Sequence, residues 1–227
     1  MQFGSMGRGD YYASPFGIAY STYMERPRLS GLVAWLVWGG DVRPYYESMA
    51  AIAKAAPDST IVDCPCGAGP ALRALRPGQG IRYVAVDLSP SMLRRARRRV
   101  DRRDLQGVEL LHADAARIPL PAESADLFLS YWGLHCFPDP PAALAEAARI
   151  LRPGGRLVGA ALVKGRDNLR QRLLIRPWRG DFGRVGTAAE VSDWLEAAGF
   201  ADPQIERSGP MLFFAAQLPS RDRENPG

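Results

Sequence analysis

The order of apolar and polar positions changes character near residue 58. Beyond it, short apolar runs alternate with helical stretches. STIVD (59–63), IRYVAVD (81–87), VELLHAD (108–114), DLFLSYW (126–132) and GRLVGAALV (155–163) read as strands. The helices between them carry start and stop signals. Ser89-Pro90 opens one, with proline at the first helical position, where its missing N–H costs least. Asp139-Pro140 opens another, which must end before Pro153-Gly154-Gly155. Thr187-Ala-Ala-Glu190 is a capping box, and Gly199 closes that helix. PQIERSG (203–209) and MLFFAAQLP (211–219) then pair as an antiparallel hairpin. The pattern predicts an α/β fold: a doubly wound, mostly parallel seven-stranded sheet, covered on both faces, with an antiparallel C-terminal edge hairpin.

Before residue 58 no run reads as a strand. Two helical stretches near 28–38 and 42–56 are parted by Gly39-Gly40-Asp41, with Asp41 as a candidate cap. Tyr11, Tyr12, Tyr20, Tyr23, Trp35, Trp38, Tyr45 and Tyr46 crowd this segment. The expected division is an N-terminal helical cap or lid at 6–57, a ligand-binding domain at 58–218 and a frayed charged tail at 219–227. MQFGS (1–5) reads as an added leader and is set aside from the fold argument.

Composition narrows the function classes. The formal net charge is +5, and Lys54 and Lys164 are the only lysines, so the basic charge is almost all arginine. With so much alanine, this reads as genome composition rather than adaptation to nucleic acid. Three cysteines, an odd number, argue against a disulfide framework and fit a reducing compartment. LVAWLVW (32–38) is far too short to span a bilayer, and the N-terminus lacks a secretory pattern. The expectation is a cytoplasmic protein with no membrane partner.

In an open α/β sheet, ligands bind outside the carboxyl ends of the strands. Here Asp63, Asp87, Asp114 and Ser130 end four successive runs, which points to one elongated polar ligand. Gly67 and Gly69 let the backbone turn tightly and approach it, and Pro70 is expected to open a helix whose free N–H groups favour an anion. Asp63 would repel a phosphate and favour an ammonium, so an amino-acid moiety satisfies both ends of the turn. Asp87 can accept from both ribose hydroxyls, and Asp114 from an exocyclic amine such as adenine N6. Amino acid, ribose and adenine together make S-adenosyl-L-methionine.

IVDCPCGAG, VAVDLSPSML, HADAARIPLPAESADLFLS, HCFPDP and LRPGGRLV, taken in order, resemble the motifs of class I S-adenosylmethionine-dependent methyltransferases, small-molecule branch, over about 58–163. The resemblance implies the Rossmann-like fold of that family. It also implies that Asp63 and the turn Cys66, Gly67, Ala68, Gly69 hold the methionine end. Asp87 and Leu88 would hold the ribose, Asp114 and Ala115 the adenine, and Ser130 would line the sulfonium side, with Met92 joining the cofactor-binding set. One departure is Pro65, where the family usually has glycine; proline holds φ negative and lacks an N–H, so neither is needed there.

Other chemistry fits less well. Cys64 and Cys66 could be joined as metal ligands only by Cys136, His112 and His135, at no familiar spacing, so no metal is expected. In MLRRARRRVDRR (92–103), Met92, Leu93, Ala96 and Val100 form one stripe and leave the arginines on a solvated face, which argues against nucleic acid as the partner. His135 and Tyr20 are the candidate catalytic bases, His135 having a packing role as its other reading; His112, inside a strand, reads as structural. Residues 164–186 form an insertion that could be a second lid. A nicotinamide dehydrogenase fits poorly, because Leu72 replaces its third glycine and Asp63 would sit beside a pyrophosphate. The expected activity is methyl transfer to a small-molecule acceptor by direct in-line displacement. A nucleic-acid methyltransferase and a non-catalytic S-adenosylmethionine-binding protein are the alternatives.

Overall fold

A computed structural model describes residues 26–164 and 185–220. Its strands are β1 (Thr60–Asp63), β2 (Arg82–Asp87), β3 (Val108–His112), β4 (Ala125–Tyr131), β5 (Leu151–Leu162), β6 (Ala201–Ser208) and β7 (Met211–Gln217). Among the described residues they form one sheet in the order β3-β2-β1-β4-β5-β7-β6. The first five pair in parallel, and β7 runs antiparallel to both β5 and β6, as the hydrophobic pattern predicts. The chain steps outward from β1 to β3 and then returns to the other side of β1 for β4. That reversal opens a crevice at the carboxyl ends of β1 and β4.

Period-two alternation sorts the strand residues onto two faces. Ile61, Tyr83, Ala85, Leu129, Tyr131, Val158 and Ala160 look toward one face. It is covered by α1 (Pro27–Val33, running on as a π turn over Ala34–Trp38), α2 (Arg43–Ser48), α3 (Ala50–Ala53) and α4 (Pro90–Arg102). Val62, Val84, Val86, Phe128, Leu157 and Phe214 look the other way, under α5 (Pro140–Ile150) and α6 (Ala188–Ala197). Every residue of β1 is buried, as a central parallel strand requires.

The helices begin where their punctuation says. Met92 N–H donates to Ser89 Oγ at 3.5 Å, Ala142 N–H donates to Asp139 Oδ1 at 3.1 Å, and Thr187 and Glu190 close their capping box at 3.2 and 2.8 Å. Met92, Ala96 and Val100 are the buried stripe of α4.

Three local expectations differ. Pro70 opens only a five-residue 3-10 turn, Pro70–Ala74, rather than a helix. Pro77 forces the preceding residue out of helical geometry, and the Arg103 guanidinium takes up the carbonyls of Leu72 and Leu75. The stretch 42–56 splits at Met49 into α2 and α3. β3 stops at His112, because Ala113 N–H donates to the Asp87 carbonyl and Asp114 folds back onto Arg117. Tyr20, most of the 164–186 insertion and the end of the charged tail lie outside the described residues. No helix among the described residues is long and apolar enough to cross a membrane.

Candidate functional site

The turn after β1 is laced to both neighbouring strands. Cys64 N–H donates to the Leu129 carbonyl at 2.9 Å and Cys66 N–H to that of Val86 at 2.8 Å. The Cys64–Pro65 bond is cis. Gly67 and Gly69 adopt φ of +53° and +76°, which an L side chain rarely takes. The two glycines differ in surroundings. A Cβ on Gly67 would meet nothing within 4 Å, whereas one on Gly69 would lie 2.5 Å from Leu72 Cδ1. Gly69 serves packing, and Gly67 faces open space.

Asp87 clamps this turn to the end of β2. Its Oδ2 accepts from Gly67 N–H and its Oδ1 from Ser89 N–H, both at 2.8 Å. Each carboxylate oxygen has two acceptor positions, so each keeps one for a ligand. Burial pushes the Asp87 pKa up, and the Ser89 and Gly67 N–H groups oppose that rise. Leu88, beside it, is exposed, and its carbonyl is hydrogen-bonded to His112 Nε2 at 2.9 Å.

Asp63 is fully enclosed on the cap-covered face, where its Oδ2 accepts the Tyr83 hydroxyl at 2.7 Å. Burial pushes its pKa up to about 7; the Tyr83 hydroxyl lowers it and the Asp87 charge raises it further. Asp114 stands exposed beyond β3, with Oδ1 accepting from Ala116 N–H at 2.9 Å, while Ala115 is buried beside it. That loop is tied to α5: Glu146 Oε1 accepts from Ile118 N–H at 2.7 Å, and Arg149 donates to the Ile118 and Leu120 carbonyls.

The three carboxylates gather around one segment. The Cys64 thiol is pushed well up by burial and then by the charges of Asp87, Asp63 and Asp114 together. Cys66 is also buried with its pKa raised, so both thiols stay protonated and unreactive. Among the described residues no three His, Cys, Asp or Glu side chains gather as metal ligands.

The edge of β4 and β5 has a different chemistry. Ser130 Oγ is buried without a hydrogen-bond partner among the described residues. It lines a cavity of about 10 Å³ shared with Cys64, Ala115, Leu134 and Phe137. Gly133 passes directly over the turn: a Cβ there would lie 2.9 Å from Ser130 Oγ and 2.8 Å from Phe137 Cζ, and would collide with Pro65. His135 is buried, its Nδ1 accepts from Leu162 N–H at 3.1 Å, and burial pushes its pKa down to about 3. It is a neutral link between the post-β4 loop and β5.

Aromatic rings wall this edge beneath the cap. Tyr45 lies 4.8, 5.0 and 5.6 Å from the ring centroids of Tyr46, Tyr131 and Trp132, and Trp132 lies 6.3 Å from Phe213. Tyr131 shares a 2.9 Å hydrogen bond with Ser48. The Tyr45 hydroxyl and Trp132 Nε1 are buried without partners among the described residues. Trp132 itself takes φ +59°, a left-handed conformation unusual for a bulky residue. The Asp63 charge reaches Tyr45, Tyr83 and Tyr131, so the aromatic wall abuts the carboxylate edge. The larger cavity, about 410 Å³, is elsewhere, between Ala68 and the α4 arginines Arg95, Arg98, Arg99 and Arg102.

Sequence reasoning passed over Tyr83, Tyr131, Trp132 and Gly133. One signal was available: a tyrosine inside the buried run IRYVAVD needs a partner for its hydroxyl.

Residues 62–159 match the family described as a methyltransferase domain. The chain is 36% identical over 133 residues to a demethylmenaquinone methyltransferase of Thermus thermophilus, covering 58% of this chain and 60% of that one. It is 34% identical over 123 residues to a phthiotriol/phenolphthiotriol dimycocerosates methyltransferase of Mycobacterium leprae, covering 53% of this chain and 41% of that one. The chain spans about half the length of the curated relatives it matches. Among solved structures, a Haemonchus contortus phosphoethanolamine N-methyltransferase in complex with S-adenosyl-L-methionine shares the fold. Its TM-score is 0.72 at 15% identity, covering 97% of this chain and 62% of that one.

Proposed function

We propose that this chain, whose residues 62–159 are a methyltransferase domain of the class I S-adenosylmethionine-dependent fold, transfers a methyl group to a lipophilic small molecule by direct in-line displacement. The observation that carries this reading is the gathering of Asp63, Asp87 and Asp114 around a turn whose Gly67 faces open space. The residues fit the cofactor. Asp87 keeps one acceptor position on each oxygen for the two ribose hydroxyls, exposed Leu88 offers an apolar surface beside them, and exposed Asp114 is free to accept from an adenine amine. Asp63 and the Cys66–Gly69 turn take the methionine end, Ala115 and Met92 pack behind, and Ser130 lies toward the sulfur.

When bound, S-adenosyl-L-methionine supplies a methyl group on a sulfonium that already carries its leaving group. The chain therefore has to bind, align and exclude water. Alignment alone is worth ~7–11 kcal/mol of barrier. An ammonium beside Asp63 favours its ionised form, so cofactor binding is linked to loss of the Asp63 proton. His135, with a pKa near 3 and Nδ1 engaged, is a weak base; we assign it to positioning β5 and leave any base role to Tyr20. The described cap helices over 27–53 and the cofactor-binding sheet meet at the aromatic wall, which suits an apolar acceptor. Two relatives named for quinone and lipid substrates support the same class.

The test is transfer from methyl-labelled cofactor. Full-length protein is incubated with reduced isoprenoid quinones, with polar amines and acids, and with RNA, and the label is followed into each fraction. Label entering the quinone fraction is expected. Label entering only RNA or polar acceptors, or no transfer despite cofactor binding, would sink the reading.

A further inference from the structure

The large apolar side chains left exposed are not scattered. Five are found among the described residues, and four of them sit on one helix: Leu29 (40%), Leu32 (53%), Trp35 (68%) and Leu36 (46%). The fifth, Leu88, belongs to the cofactor edge. Single exposed apolar residues need no explanation, but a contiguous group does. Residues 29, 32 and 36 repeat at helical spacing and share one face of α1 and its π turn, with Trp35 beside them. The opposite face is already used: Ser30 and Ala34 are buried, and Trp38 packs against the core that holds Tyr45 and Phe213. This helix is therefore apolar on its outer side as well as its inner one.

The charge on this helix is of one sign. No acid occurs between residues 26 and 40, and Arg26 and Arg28 are exposed at the start of the helix without an ion pair among the described residues. α4 covers the same face of the sheet, since its Val100 shares a core with Ala34, and it exposes Arg94, Arg97, Arg98 and Arg102. The exposed Leu/Trp helix thus opens on two exposed arginines, and it covers the same face of the sheet as the arginine-rich α4.

We propose that this helix docks on an anionic bilayer, lying in the headgroup region over residues 27–38 with its leucines and Trp35 inserted and Arg26 and Arg28 on lipid phosphates. A bilayer offers an apolar layer and negative charge in one partner. A second copy of the chain does not. Four partly exposed side chains fall short of the roughly 800 Å² per partner of a standard interface. The expectation of no membrane partner rested on spanning length, a requirement that a helix lying in the interface does not have. The position matters for chemistry too. The inner side of the same helix reaches, through Trp38, the aromatic wall of Tyr46, Trp132 and Phe213, so an acceptor leaving the bilayer enters beside β4. That last step rests on the methyltransferase reading; the docking does not.

The experiment is co-sedimentation of the full chain with vesicles of phosphatidylcholine alone or of equal parts phosphatidylcholine and phosphatidylglycerol. Calorimetry of S-adenosylmethionine binding and analytical ultracentrifugation run in parallel. Wild type should partition at least tenfold better onto the anionic vesicles, and the advantage should shrink with salt. The double variant Leu32→Glu/Trp35→Glu should lose at least tenfold in partition, and Arg26→Glu/Arg28→Glu severalfold, both with unchanged cofactor affinity. Absence of wild-type sedimentation, or partition untouched by both variants, overturns the proposal. So does a dimer that the Leu32→Glu/Trp35→Glu pair dissociates while vesicle binding persists. Vesicle binding without cofactor binding would instead sink the methyltransferase reading and leave the docking intact.

Discussion

The edge assigned to adenosine and the edge assigned to methyl transfer are built differently. At the ends of β2 and β3, the carboxylates are fixed by backbone N–H groups, Asp87 by those of Ser89 and Gly67 and Asp114 by that of Ala116, while the His112 side chain meets the Leu88 carbonyl. At the ends of β4 and β5, Tyr45, Ser48, Tyr131, Trp132 and Phe213 come from segments far apart in the chain and meet only through tertiary packing. A ligand portion that never varies can be held by a few carboxylates at strand ends. Selection among acceptors falls to the shape of an aromatic wall, where small changes in packing alter the fit.

The strongest test of this contrast is Asp87→Ala. It removes the acceptor of two backbone N–H groups as well as the ribose contacts. Each buried donor left unsatisfied costs about 1–3 kcal/mol, so stability should fall by ~2–4 kcal/mol in urea titration. Cofactor affinity should fall by ~1–3 kcal/mol in calorimetry; an unchanged Kd removes Asp87 from the cofactor site. Next is Gly133→Ala, where the new Cβ meets Ser130, Phe137 and Pro65. Overpacking of this kind costs ~1–3 kcal/mol, and methyl transfer should suffer while cofactor Kd moves by less than about threefold. If cofactor affinity collapses as far as in Asp87→Ala, the two edges are one unit and the contrast fails.

The same contrast explains what could be read in the sequence. Ser89-Pro90, Asp139-Pro140 and the Thr187–Glu190 box are local devices, and each starts its helix where expected. The strand-end carboxylates were legible because parallel strands put their carboxyl ends on one edge. Pro70 misled because its helix is cut short by Pro77 and by Arg103, which lies 28 residues beyond Leu75. The role of His135 was undecidable because the partner of its Nδ1, Leu162 N–H, is 27 residues away. The crowd of aromatics in the cap was visible, but not its sorting: Tyr45 is buried against Tyr131, and Trp35 faces outward.

A subtler probe uses Asp63, which sits where the two edges join. Its carboxyl has a pKa of about 7, so cofactor affinity should rise as pH increases through 7 and the site gains its charge. It should decline again above ~8, as the α-amino group of the cofactor loses its proton. Tyr83→Phe removes the hydroxyl that donates to the carboxylate and stabilises its charge. A hydrogen bond to a charged group is worth ~1.5–3 kcal/mol, so the rising limb should move up by about one pH unit and the bell should narrow. Affinity independent of pH between 6 and 8 in both proteins, measured by calorimetry, would remove Asp63 from the ammonium site.

The smallest effect is expected in the wild type itself, because two buried groups work against each other. Asp63 ionises near 3.8 when unfolded and near 7 when folded, so its contribution to stability falls as pH rises across that window. His135 protonates near 6.5 when unfolded and near 3 when folded, so its contribution falls as pH drops across that window. Where the windows overlap, from 3.8 to 6.5, the folded state holds one extra proton on Asp63 and one fewer on His135, and the two slopes cancel. Each slope alone is about 1.4 kcal/mol per pH unit. Asp63→Asn, whose amide oxygen can still accept from Tyr83, should expose the His135 slope and make the protein lose stability on acidification. His135→Gln should expose the Asp63 slope and do the reverse. Urea unfolding at pH 4.5 and 6 measures both against the wild type, which carries every other carboxylate in common with them. Parallel slopes in the two variants would mean that the joint between the edges is not enclosed as the aromatic wall requires.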